Sequence, residues 1–130
     1  MFVFRLDPSS GVPTYLQLVD QVRRAVLLGY LCDGDRLPTV REVAATLVVN
    51  PNTVAKAYRE LDHAGLTSAR AGQGTFVTGS IGEVPTATYA QLSRRLRGWL
   101  NTAREAGLTS EQVRALVSAV LDDESRTGAA

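Results

Sequence analysis

The sequence predicts a mainly α fold with a small β-wing: a winged helix-turn-helix domain followed by a short two-helix C-terminal hairpin. Three observations predict it. Two helix starts stand close together, at Thr39 with Glu42 three residues on, and at Asn50 followed by Pro51. The second of these helices is stopped by Gly65, and two short strand-like runs follow it around a glycine-rich tip. After a breaker-rich stretch, two further apolar stripes at helical spacing close the chain.

In chain order, Phe2, Phe4 and Leu6 alternate, as an extended arm would, before a turn at Asp7-Pro8-Ser9-Ser10-Gly11. Pro13 opens a helix, and Tyr15, Leu18, Val19, Val22 and Val26 give it an apolar face up to Gly29. That helix is scaffold. Cys32-Asp33-Gly34-Asp35 reads as a turn, and Arg36-Leu37 as a very short third strand beside the wing.

Thr39 and Glu42 have the spacing of a capping box, in which the hydroxyl accepts from an orphan N–H and the carboxylate reaches back to the cap's own amide. Val40, Val43, Ala44 and Leu47 follow on one face. Asn50 caps the next helix, with Pro51 where a missing N–H costs nothing. Its buried stripe is Val54, Ala57, Tyr58 and Leu61. At about 100° per residue the opposite face is centred on Asn52, Lys56, Arg59 and His63, flanked by Thr53. An amide, a hydroxyl and an ammonium at a helix N-terminal end are groups that bond base edges and phosphates in a major groove. The hairpin is expected over Leu66–Arg70 and Thr75–Thr78, with Ala71-Gly72-Gln73-Gly74 as its tip.

From Gly79 to Thr88 the chain reads as a linker, so the domains are expected at 1–79 and 80–130. Tyr89, Leu92, Leu96, Leu100 and Ala103 then line a helix ending at Gly107. Thr109 and Gln112 cap a last helix whose face is Val113, Leu116, Val117, Val120 and Leu121, with fraying expected after Asp122. A two-helix hairpin is too small to bury both stripes on itself. The exposed remainder, Leu92, Leu96, Trp99, Leu100, Val113, Leu116, Val117 and Val120, reads as a homodimerisation surface rather than a face folded back on the winged helix.

Composition bounds the function. With 130 residues and 45% hydrophobic content the chain buries one core plus a small appendage. No apolar run is long enough to span a bilayer, and Met1-Phe2-Val3-Phe4-Arg5 lacks the pattern of a signal peptide. One cysteine, Cys32, expected half-buried, fits a reducing cytoplasm. Fourteen Lys+Arg against thirteen Asp+Glu gives a net charge of +1, so each subunit grips few phosphates and two linked half-site contacts are needed.

Enzymatic and metal chemistry find no footing, and no cofactor is expected. One His and one Cys make no metal set, Cys32 has no base placed by motif, and Gly72-Gln73-Gly74 does not precede a helix as a phosphate loop must. His63 reads as solvated or phosphate-side. Arg94, Arg95 and Arg97 read as a solvated helix face. A winged helix can also serve as a protein-binding module, but an outward face of Asn52, Thr53 and Lys56 with Arg41 beside it suits a duplex better.

The motifs LPTVRE, VNPNTVAKAYREL and GLTSARAGQGTFV resemble the GntR family of bacterial transcription regulators over residues 5–79, and the VNPNTV…AY form is similar to the YtrA-like subfamily. The resemblance implies a cytoplasmic, dimeric DNA-binding regulator, most commonly a repressor, of palindromic GT…AC-like operators, often at transporter genes. It implies DNA contacts at Thr39, Arg41, Asn50, Asn52, Thr53, Lys56 and Arg59, and at Arg70, Gln73, Gly74 and Thr75 in the wing. Many relatives carry arginine at the positions of Pro51 and Ala55; this chain does not, which shifts readout to Asn52, Thr53, Lys56 and Arg41. Relatives with a large effector domain, or with an aminotransferase-like domain, differ from this short tail, and Lys56 is the chain's single lysine. An effector, if there is one, would have to sit between subunits or between tail and winged helix.

Overall fold

Seven elements follow one another in the structure, a computed structural model that describes residues 2–79 and 84–128. They are α1 (Thr14–Leu27), α2 (Val40–Leu47), α3 (Pro51–His63), β1 (Thr67–Arg70), β2 (Gly74–Val77), α4 (Thr86–Glu105) and α5 (Ser110–Gly128). The chain divides into two units, Met1–Thr86 and Ala87–Ala130.

In the first unit the arm forms no strand. Gln21 instead bonds both the N–H and the carbonyl of Arg5, at 2.8 and 2.5 Å, and Gln17 accepts from Asp7 N–H at 2.9 Å. These side chains satisfy the arm's backbone where a sheet neighbour would otherwise be needed. Phe4 is thereby buried, edge-on to Phe2 with ring centroids 4.9 Å apart. Pro13 stands at the N-cap of α1 and so opens it, as expected. Leu18, Val22 and Val26 of α1 join Leu37, Val43, Val54, Leu61, Leu66 and Val77 in one core cluster. Fully burying each such side chain contributes about 1.5–3 kcal/mol.

The caps of the helix-turn-helix are formed as the sequence predicts. Glu42 N–H donates to Thr39 Oγ1 at 3.1 Å, and Thr39 N–H donates to a Glu42 carboxylate oxygen at 3.2 Å. Asn52 N–H donates to Asn50 Oδ1 at 2.9 Å. Gly65, at φ +78°, ends α3 with its N–H on Asp62 O and that of Leu66 on Leu61 O.

Between α2 and α3 stands an unanticipated residue: Val48 has φ +55° and is 88% exposed. A β-branched side chain in the left-handed region is strained by about 1–2 kcal/mol. Val48→Gly is therefore expected to stabilise the fold by up to about 1 kcal/mol, part of the relief being offset by the freedom glycine gains in the unfolded chain. A urea-unfolding midpoint that falls would contradict this.

The wing is an antiparallel pair with Thr67 opposite Val77 and Arg70 opposite Gly74. Its tip is one residue shorter than expected. Gln73 N–H closes a turn onto Arg70 O at 3.0 Å, with Gly72 at φ +73° supplying the positive angle a type II turn needs at its third position. Gly74 thus belongs to β2, while Leu66 and Thr78 lie outside the strands, linked by a single bond from Thr78 N–H to Leu66 O. The expected third strand is a single bridge between Arg36 and Phe76, extended by Leu37 N–H on Thr75 O and Val77 N–H on Asp35 O.

Helix α4, which with α5 makes up the second unit from Ala87 on, begins at Thr86, inside the stretch read as a linker, of which residues 80–83 lie outside the described residues. Helix α5 continues to Gly128, past Asp122, with Arg126 in its last turn favourably placed against the helix dipole. At the turn Gly107 has φ +97°, and Thr109 and Gln112 cap each other at 2.8 and 3.2 Å. Near this turn Ala103 is buried and Leu100 and Val113 are half-buried. Away from it the stripe is open: Leu92 is 51% exposed, Leu96 53% and Val120 53%. A groove of about 260 Å³ lined by Leu96, Trp99, Leu116, Val117, Val120 and Leu121 lies between the two helices. Among the described residues no helix is long and apolar enough to cross a membrane.

Candidate nucleic-acid interface

The outward face of α3 follows from its buried stripe. With Val54, Ala57, Tyr58 and Leu61 in the core, Asn52, Lys56, Arg59 and His63 are exposed and Thr53 is half-buried. Arg41 is exposed in the first turn of α2. The two helices are fastened by the Tyr58 phenol, which donates to Pro38 O just ahead of the Thr39 cap. Burial, and then the nearby Glu42 carboxylate, hold that phenol above its ordinary pKa. It therefore stays a neutral donor throughout the physiological range.

Several predicted residues are already partly committed. The Thr39 hydroxyl accepts from Glu42 N–H, which leaves its own O–H to donate outward. The Asn50 carboxamide oxygen caps α3, which leaves its NH₂. Lys56 is not free in solvent: its ammonium lies 4.0 Å from the centroid of the Tyr15 ring at the start of α1. Sequence reading assigned Tyr15 to the apolar face and missed this cation–π partner, because the pair joins two helices distant in sequence.

At the wing, the Arg70 guanidinium stacks 4.4 Å from the centroid of Phe76. Gln73 is exposed at the tip, and Gly74 and Thr75 are half-buried in β2. Arg36, placed by sequence only in a short strand, brings a further cation to this hairpin. Its bridge to Phe76 is a tertiary pairing with no local signal. Cys32, expected half-buried, is exposed in a turn where the Asp35 carboxylate accepts Cys32 N–H at 2.9 Å. Among the described residues no group of His, Cys, Asp or Glu is arranged to hold a metal ion.

A stacked, exposed arginine suits a phosphate rather than a base edge. Arg70→Ala is expected to weaken binding to all duplexes about equally and to lower the salt slope by about one charge. Anisotropy titrations at several salt concentrations read both; a changed base preference with an unchanged slope would contradict the assignment.

Residues 14–77 match the family described as bacterial regulatory proteins, gntR family. The chain is 41% identical over 76 residues to the HTH-type transcriptional repressor YtrA of Bacillus subtilis (strain 168), a match covering 58% of either protein, so it spans just over half of that relative. It is 38% identical over 119 residues to the HTH-type transcriptional regulator Rv1152 of Mycobacterium tuberculosis, covering 92% of this chain and 94% of that one. Among solved structures it is similar to YtrA from Sulfolobus acidocaldarius, a GntR-family transcription factor, with TM-score 0.55 and 30% identity over 74% of this chain and 99% of that chain. It is also similar to the DNA-binding domain of AraR in complex with operator ORX1, with TM-score 0.51 and 28% identity over 60% of this chain and 96% of that chain.

Proposed function

The chain belongs to the gntR family of bacterial regulatory proteins and is a DNA-binding transcription regulator, not an enzyme, and we propose on that premise that it represses transcription by binding a palindromic operator as a homodimer. The observation that carries the reading is the exposed face of α3, where Asn52 and Lys56 stand one turn apart with Thr53 beside them and Arg41 on the neighbouring helix. In a major groove, Asn52 pairs with adenine N6 and N7, while Arg41 and Lys56 donate to guanine O6 and N7. Thr39, Asn50, Arg59 and the wing residues Arg70, Gln73, Gly74 and Thr75 serve the phosphates and the adjoining minor groove.

The dimer reading is supported by the open stripe of α4 and α5, where Leu92, Leu96, Trp99, Leu116, Val117 and Val120 are all more than a third exposed. Leu100 and Val113 extend that stripe towards the turn. A second copy related by a two-fold axis covers such a face with itself. Repression accords with the name of the Bacillus subtilis relative. A cytoplasmic location and control of a transporter operon are carried from the YtrA-like resemblance.

In vitro transcription from a promoter overlapping the bound site tests the regulatory sense. Added protein is expected to lower transcript yield only when the site is intact. Unchanged or increased yield would overturn repression.

A further inference from the structure

We propose that Arg36 and Arg70 together form a phosphate-gripping face on the wing. The proposal rests on the DNA-binding reading and adds to it an anchor outside the helix-turn-helix.

Residues directly opposite in a sheet share a face, as do residues two apart along a strand. Phe76 pairs with Ser68 and bridges to Arg36, while Gly74 pairs with Arg70. Arg36, Ser68, Arg70, Gly74 and Phe76 therefore share one face. The other face carries Thr67 and Val77, both buried, so the arginine face is the outer one.

Arg36 enters the sheet beside Phe76, yet its Nε lies only 3.0 Å from where a Cβ on Gly74 would stand, and one terminal nitrogen at 3.5 Å. Two strand residues span about 6.8 Å, so this side chain runs along β2 towards the tip. A Cβ at Gly74 would require that flexible guanidinium to shift by a few tenths of an ångström, and φ +122° independently favours glycine there. Arg70 leans the opposite way, from the tip back over Phe76. Two guanidinium groups thus lie across one strip of β2.

Nothing acidic on the hairpin balances them, since residues 64–82 contain no Asp or Glu. The nearest carboxylate in sequence to Arg36, that of Asp35, is turned back to the N–H of Cys32. Like charges gathered on one face repel until an anion joins them, and the planar guanidinium fork fits two phosphate oxygens. The partner with that chemistry is the phosphodiester backbone of a duplex, gripped without regard to sequence.

The test compares the full chain with Arg36→Gln and Arg36→Lys on an operator duplex and on a random duplex of equal length. Arg36→Gln is expected to lower the slope of log K against log salt by about one on both duplexes, with an unchanged thermal midpoint; Arg36→Lys is expected to restore the slope. An unaltered slope in Arg36→Gln, or a loss confined to the operator, would overturn the anchor. Failure of the unmutated protein to bind either duplex would instead overturn the DNA reading itself.

Discussion

Removal of residues 80–130 is expected to leave a folded, monomeric winged helix whose operator affinity is lower by about two to four orders of magnitude. The first unit has its own core, drawn entirely from residues between Phe4 and Val77, so it does not depend on the tail for burial. What the tail supplies under the dimer reading is linkage: once one half-site is held, the second contact becomes intramolecular. A gentler variant asks the same question without truncation. Leu116→Asp places a carboxylate in the groove beside Trp99 and Val120, where a partner helix would strip it of water. Light scattering is expected to show a monomer for both variants. An unchanged dimer would remove the tail from the assembly and return the question to the winged helix.

Arg41→Ala and Lys56→Ala are each expected to cost about 1–3 kcal/mol on the operator and much less on random DNA. The Lys56 contact with Tyr15 does not stand in the way. A cation–π pair at an exposed site contributes about 0.5–1 kcal/mol, less than a well-formed base contact, so the ammonium moves to a guanine when one is presented. Until then the ring limits the rotamers that Lys56 samples, which reduces the ordering cost of binding. Equal losses on operator and random duplex would demote both cations to phosphate anchors. Specificity would then rest on Asn52, Thr53 and DNA shape.

The helix-turn-helix was legible because its signals are local. Thr39 with Glu42, Asn50 with Pro51, and Gly65 each act within one turn of the chain, and the buried stripe of α3 follows directly from residue spacing. What escaped the sequence depends on pairings between distant residues or on conformations that carry no residue signature. Val48 adopts a left-handed conformation that valine does not advertise. Gly72 and Gly74 both accept positive φ, so the sequence alone could not say which belonged to the tip and which to the strand. The start of α4 at Thr86 was hidden because a run of small residues reads equally as linker or first turn. Tyr15 under Lys56, and Arg36 along β2, are tertiary neighbours; nothing near either residue in sequence announces them.

Selection of bound sites from random duplex DNA by the full chain tests the central claim most directly, because half-site sequence and half-site spacing emerge together. Two inverted half-sites at one fixed spacing, rich in the guanine and adenine positions suited to Arg41, Lys56 and Asn52, are the predicted result. Enrichment of single, unpaired half-sites, or of no sequence at all, would contradict a dimer that reads its operator through α3.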